Sequence, residues 1–210
     1  MAKKNQANKM RDLIKKIVQR YQRRRYRSVI ADGERILGLE TDDNAQCHKN
    51  RYLFASKYLK KGDSVLDFAC GSGYGSLILA ESGSSVTVVG YDIDEKAIEF
   101  GRTQYQRENM ELTTDSPRKN FDVVIAFEYL EHVDDIQGAY DDLTRRAGRL
   151  VIASVPYHEK EGNNPHHKHF GLDESSLNFG DKVEFFYQNP EGDILGEGRS
   201  RQNMIVVREV

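Results

Sequence analysis

The sequence predicts an α/β fold built on a doubly wound, mostly parallel sheet. Three observations predict it. From residue 64 onward, short apolar β-branched runs alternate with helical patterns; the first run ends in a glycine-rich turn; the second ends in Asp92, roughly 20 residues beyond that turn. Strands that are apolar throughout must be covered on both faces, and the intervening helices supply the cover.

The N-terminal segment comes first. Leu13, Ile14, Ile17, Val18 and Tyr21 recur at helical spacing and form one apolar stripe on an otherwise basic helix. A polar stretch over 38–44 marks a boundary, giving a basic helical extension over 1–45 and a main domain over 46–210. Tyr52, Leu53, Ala55, Tyr58 and Leu59 read as a helix ending at Lys61-Gly62, where glycine suits a left-handed cap. Strands over 64–69, 85–91, 110–113, 121–127 and 149–155 then alternate with helices over 74–81, 95–105 and 136–146. The C-terminal part changes character: 182–187 and 204–210 are strands joined through Asn189-Pro-Glu-Gly192 and Gly196-Glu-Gly198 with no helix between them, so the sheet should finish in an antiparallel pair.

Composition narrows the class. A chain of 210 residues has room for one domain and an extension, and 38% hydrophobic with 30% charged residues is a globular balance. No apolar run approaches the roughly 18 residues that cross a bilayer, and the start Met-Ala-Lys-Lys lacks the apolar core of a secretory signal, so a cytoplasmic protein is expected. Cys47 and Cys70 have neither disulfide nor zinc spacing. The net charge of -2 hides an asymmetry, because residues 1–27 hold eleven Lys and Arg against one Asp. Such an arm suits a nucleic acid or an anionic membrane surface, which would make the protein peripheral there, or else is a solvated helix.

The turn itself reads Asp67-Phe-Ala-Cys-Gly71-Ser-Gly73-Tyr-Gly75. Glycines between a strand and a helix allow close backbone approach to a ligand, and Asp92 is placed to accept hydrogen bonds from ribose hydroxyls. A nicotinamide dinucleotide would use the same parts. Against it, the third glycine stands at 75, outside the G-x-G-x-x-G spacing, and no second domain is available for a substrate.

Val65-Leu-Asp-Phe-Ala-Cys-Gly-Ser-Gly-Tyr-Gly75, Val89-Gly-Tyr-Asp-Ile93 and Phe121-Asp-Val-Val-Ile-Ala-Phe-Glu-Tyr-Leu-Glu-His132 together resemble the successive motifs of class I S-adenosylmethionine (SAM)-dependent methyltransferases. The resemblance runs over residues 48–176 and implies a Rossmann-like, seven-stranded sheet of order 3-2-1-4-5-7-6 with strand 7 antiparallel. It further implies that Asp67, Gly71 and Gly73 hold the methionine part of SAM, with Ala69 and Tyr74 of the same loop also binding the cofactor. By the same resemblance Asp92 binds the ribose, Ile93 packs on the adenine, Asp115 meets the adenine amino group, and Phe127 and Glu128 line the methyl-transfer mouth. Within the superfamily, His48-Lys-Asn-Arg-Tyr52, the loop and Asn164-Pro-His-His167 are similar to small-molecule O-methyltransferases of surface-polysaccharide synthesis, although Lys168-His169 replaces the usual Arg-Glu pair.

Transfer to a hydroxyl needs alignment and a proton acceptor, and histidine is the natural base near neutral pH. Glu131-His132 beyond the fourth strand and His166, His167 and His169 beyond the fifth are the two groups that offer one. The catalytic candidates are therefore Glu128, Glu131, His132 and His167. The same residues also resemble the metal-holding set of small-RNA 3′-terminal 2′-O-methyltransferases, which a basic arm would suit, and Glu-x-x-Glu-His recurs in quinone-type O-methyltransferases. No metal site is assigned from sequence, and an oxygen acceptor is favoured because Asp/Asn-Pro-Pro-Tyr/Phe is absent at the fourth strand. The expected function is methyl transfer to a hydroxylated small molecule such as a sugar or sugar-linked intermediate. An RNA 2′-O-methyltransferase and a SAM-binding partner subunit without turnover are the alternatives.

Overall fold

The computed structural model describes residues 43–197 and 200–210. The basic helical arm and most of the extension over 1–45 lie outside them. The first described element, α1 (Asp43–Ser56), begins nine residues before the helix predicted from Tyr52, so the proposed boundary at 45/46 falls inside it. It stops at Ser56, and the chain turns through Gly62, whose φ is 86°.

The alternation then proceeds as the sequence dictates: β1 (Ser64–Phe68), α2 (Tyr74–Ala80), β2 (Thr87–Tyr91), α3 (Glu95–Gln104), β3 (Met110–Thr113) and β4 (Phe121–Phe127). A 3-10 turn over Leu130–His132, α4 (Ile136–Arg146) and β5 (Ala147–Pro156) follow. Helices start where the sequence provides caps. The Asp94 carboxylate accepts from the Lys96 and Ala97 N–H groups, and Asp135 accepts from Gly138.

β1 to β5 are parallel, and the sheet closes with β6 (Val183–Gln188), β7 (Ile194–Leu195) and β8 (Asn203–Glu209) in the order β3-β2-β1-β4-β5-β8-β6-β7. This is the expected Rossmann-like arrangement, with β8 as the antiparallel strand between β5 and β6. The strand count differs from the expected seven. The turn Asn189–Gly192 brings Ile194 and Leu195 back against Gln188 and Tyr187 as a two-residue edge strand.

Period-two alternation divides the core. On β4, Val123, Ile125 and Phe127 face a cluster with Tyr52, Tyr74, Leu79 and Phe100 from the first three helices. Val124 and Ala126 face Leu130, Tyr140 and Leu143 on the other side. Val123 to Ala126 are wholly buried, so truncating a large member should cost about 2–4 kcal/mol. The carboxyl ends of β1, β2, β4 and β5 open on one edge, where a doubly wound sheet holds ligands.

Candidate active site

The loop after β1 is shaped by left-handed residues: Ala69 at φ 60°, Gly71 at 57° and Gly73 at 80°. Ala69 has a Cβ and holds this conformation at a cost of about 1 kcal/mol, a strain offset by the loop's ties to β2. The Cys70 N–H donates to the Tyr91 carbonyl at 2.9 Å, and the Gly71 N–H to Asp92 Oδ2 at 2.8 Å. Asp92 Oδ1 accepts from the Asp94 N–H at 2.9 Å. Each Asp92 oxygen keeps a further lone pair.

Asp67 lies beneath this loop, fully buried, and accepts from Ser76 Oγ at 2.6 Å and from Tyr52 Oη at 3.2 Å. Burial pushes its carboxyl up to about 7, against the pull of these two donors. The Tyr52 ring occupies the space that a side chain at residue 75 would need: a Cβ there would sit 2.0 Å from Tyr52 Cζ. Glycine at 75 thus lets α1 lock onto the loop.

Two cavities open along the sheet edge. The first, about 510 Å³, is walled by Ala69, Cys70, Gly71, Tyr74, Asp92, Ile93 and Phe127, and also by Tyr52, Phe68, Tyr91, Tyr129, His132 and Val133. Ile93 is 83% exposed, an apolar side chain presented to this space without cover. The second, about 590 Å³, lies between α1 and the segments after β5 and before β8, and includes Cys47, Arg51, Tyr157, Lys160, His167, Arg201 and Asn203. His48 and Glu128 line both cavities.

Glu128 has φ 51°, a second non-glycine residue held left-handed at a strand end. Its carboxylate accepts from Ser154 Oγ at 2.8 Å and from Asn203 Nδ2 at 3.0 and 3.1 Å, and Arg51 Nη2 stands 4.0 Å away. Burial works against its charge, but Arg51 and the Ser154 hydroxyl outweigh it and keep the group below the usual carboxylate range. His48 is driven down to about 3 by burial and then by Arg51, so its imidazole is neutral. Glu131 is completely buried with neither oxygen hydrogen-bonded among the described residues, and burial foremost, then Glu128, raises its carboxyl well above the ordinary value.

His132 Nδ1 faces the His166 carbonyl at 3.2 Å, and its ring meets that of His167 edge-on at 4.8 Å. The Asn164 amide donates to His167 Nε2 at 3.0 Å, so Nδ1 carries the proton it shares with Glu159 Oε2 at 2.5 Å. Ligand atoms of Glu131, His132 and His167 all fall within 4.8 Å of one another. His169 Nε2 faces the Val133 carbonyl at 2.9 Å.

Of the residues expected from sequence, Ala69, Gly71, Tyr74, Asp92, Ile93 and Phe127 line the first cavity, and Glu128 and His132 join them. Asp67 and Gly73 are not in that lining; Asp67 supports the loop from below, and a Cβ at Gly73 would meet Leu112 at 2.7 Å. Asp115 is exposed beyond β3, its N–H donating to Thr113 Oγ1, and lines neither cavity. His167 belongs to the second cavity. Sequence reading gave no role to His48, Arg51 or Asn203. The spacing of His48, Arg51 and Tyr52, at i, i+3 and i+4, was the available signal, because it puts all three on one helix face.

Sheet order, loop and cavity place define a Rossmann-like α/β protein. Residues 40–167, more than half of the chain, match the family model described as a methyltransferase domain, and the chain belongs to that family. It is 33% identical over 101 residues to the ribosomal protein L11 methyltransferase of Neisseria gonorrhoeae, covering 46% of this chain and 34% of that protein. With the corresponding protein of Burkholderia ambifaria the identity is 39% over 101 residues, with coverages of 46% and 33%. The chain thus spans about a third of the length of these curated relatives. Among solved structures, magnesium protoporphyrin IX methyltransferase of Synechocystis PCC 6803 with bound S-adenosylhomocysteine (SAH) aligns over 94% of this chain and 99% of its own, with TM-score 0.60 and 17% identity. The methyltransferase domain of bacterial CtHen1-C aligns over 77% and 97%, with TM-score 0.58 and 20% identity. At those identities both are likenesses of fold.

Proposed function

We propose that this chain transfers a methyl group from SAM to a hydroxyl of a small polar acceptor, such as a sugar or sugar-linked intermediate. One observation carries the reading: a loop-lined, largely apolar cavity and a polar cavity meet at His48 and Glu128. The first fits the cofactor. Asp92 has lone pairs left for two ribose hydroxyls, the uncovered Ile93 offers an apolar face for adenine, and the Ala69–Gly71 backbone presents itself to the methionine end. Asp67 acts through the loop, and Asp115 is left out.

When bound, SAM supplies a methyl on a positively charged sulfur, which the acceptor oxygen displaces in line, forming C–O as C–S breaks with its electron pair left on sulfur. The protein's part is alignment and proton removal. Glu128, pinned by Ser154 and Asn203, holds a fixed negative charge at the junction. His48, neutral at the same junction, accepts the hydroxyl proton. A pKa near 3 suffices, because a protonated ether oxygen is a far stronger acid than an imidazolium.

Calorimetry should give one SAH per chain, with Asp92→Ala weakening it at least tenfold; no SAH binding would sink the reading. Labelled SAM should then methylate at least one member of a panel of sugars and nucleotide sugars. SAH binding without transfer to any hydroxylated acceptor would instead make this a cofactor-binding partner subunit.

A second reading has its own support. The two Glu131 oxygens, without hydrogen bonds among the described residues, lie beside the His132 and His167 rings and would suit a divalent ion that assists a vicinal diol such as the terminal ribose of an RNA, provided His167 Nε2 gives up its bond from Asn164. Turnover unchanged by EDTA, or RNA binding that does not weaken with salt, would eliminate it.

A further inference from the structure

The second cavity carries an imbalance of charge that bears on what it accepts. Both carboxylates in its wall are already engaged: Glu128 by Ser154 and Asn203, and Glu159 by the His167 ring. The cations outnumber them: Arg201 lies 3.4 Å from Glu174, whereas Arg51 has, among the described residues, only the Glu128 carboxylate at 4.0 Å and no hydrogen-bonded ion pair. Arg51, only 1% exposed, donates through Nη1 to Gln188 Oε1 at 2.7 Å, yet its Nε and Nη2 find no hydrogen-bond acceptor among the described residues. Lys160 is exposed and has no ion-pair partner among the described residues. A guanidinium buried with two nitrogens that lack acceptors is costly unless an oxygen acceptor arrives.

We infer that the second cavity selects acceptors that carry an oxyanion, a carboxylate or phosphate, on the same molecule as the hydroxyl to be methylated. The inference rests on the methyl-transfer reading and gives the acceptor its class. Arg51 and Lys160 would hold the anionic group, which turns the hydroxyl end toward His48, the neutral imidazole where the cavities meet. A neutral sugar would leave the Arg51 donors without an acceptor, and an amino sugar would bring a further cation into a wall that already has three, Arg51, Lys160 and Arg201, against the carboxylates of Glu128 and Glu159. A sulfonium next door adds to the preference for a negative partner, since opposite charges attract most strongly away from bulk water.

The test is binding to the full chain saturated with SAH, followed by ligand-observed NMR and calorimetry, with glucuronate and glucose 1-phosphate as acidic probes and glucose and glucosamine as controls. At least one acidic probe should bind tenfold or more tightly than glucose, and glucosamine more weakly than glucose. Which acid binds distinguishes carboxylate from phosphate. Lys160→Ala, at an exposed position outside the folded core, should weaken the acidic probe three- to tenfold while SAH affinity changes less than twofold. Arg51→Met should weaken it further. Equal binding of glucose and both acids, binding of neither acid, or an unchanged acid affinity in Lys160→Ala would each overturn the inference. A chain that fails to bind SAH at all would overturn the methyl-transfer reading instead, and titrating the acidic probes without SAH would still report on the cavity.

Discussion

The two cavities are similar in size and opposite in construction. The first is walled mainly by backbone and rings from a loop and two strand ends that lie within about 30 residues of one another, with His48 and Tyr52 of α1 and the end of β4 closing it. The second is walled by side chains drawn from α1, the end of β4, the segment after β5 and the approach to β8. A wall of backbone constrains which residue types are tolerated, chiefly glycine. A wall of side chains leaves a pattern only after folding has brought the chain together. The first cavity is therefore suited to a fixed ligand and the second to one that can vary.

The contrast is broken most sharply at Asp67, the one carboxylate wholly buried under the first cavity's loop. Its pKa is raised from 3.8 to about 7 by burial. Between those values the unfolded chain has released the proton and the folded chain keeps it, so stability falls as pH rises through that window and levels off above it. A shift of this size corresponds to about 4 kcal/mol. Asp67→Asn should abolish most of that slope and be more stable than the natural chain at pH 8. Urea unfolding at pH 5 and pH 8 checks this, and equal slopes in both proteins would refute it.

Next in size is Gly75→Ala. A Cβ at 2.0 Å from the Tyr52 ring must expel that ring from its place between Tyr74 and Phe127 and break its bond to Asp67. The cost should be about 3 kcal/mol, and SAH affinity should fall with it. Adding Tyr52→Leu should relieve part of the clash, so the double variant will be less destabilised than the sum of the two singles. Additivity, measured by chemical denaturation, would show that α1 does not lock the loop.

Glu128→Gln tests the junction. Glutamine retains an oxygen for Ser154 and Asn203 but leaves Arg51 without its nearby charge. Because the Glu128 side chain is 21% exposed, the loss should be about 1–2 kcal/mol, less than for a fully buried pair. SAH binding should change little while methyl transfer falls at least tenfold; parallel losses in both would mean that Glu128 serves only the fold.

How far the sequence exposed each cavity follows from these same residues. β1, β2, β4 and β5 were readable because buried parallel strands are largely apolar, β3 less so because it is a four-residue edge strand with Glu111 exposed, and the first cavity because left-handed turns and close approach call for glycine at 71, 73 and 75. β7 was not, since two residues carry no periodicity and pair only because a turn returns them to β6. Asp67 and Asp92 are both acids at strand ends, and nothing local in the sequence says that one is sealed beneath the loop while the other opens on the cavity. Arg51, Glu128 and Asn203 are 77 and 75 residues apart along the chain, so their meeting in the second cavity had no sequence signature. His48 was visible within a motif, but its neutral state depends on Arg51 and on burial that only the fold supplies.

The smallest expected effect is at Ile93, and it separates ligand binding from folding more cleanly than the others. Its side chain is 83% exposed and lines the first cavity, so it contributes little to the core. Ile93→Ala should leave stability within about 0.5 kcal/mol of the natural chain, as expected of surface substitutions. If a flat aromatic base covers this side chain, roughly half of the 1.5–3 kcal/mol available from burying an isoleucine is lost on truncation, a weakening of SAH binding by about fivefold. The loss should vanish for a ligand that lacks the base, such as homocysteine. Calorimetry with both ligands checks it, and an equal loss for both would place the base elsewhere in the cavity.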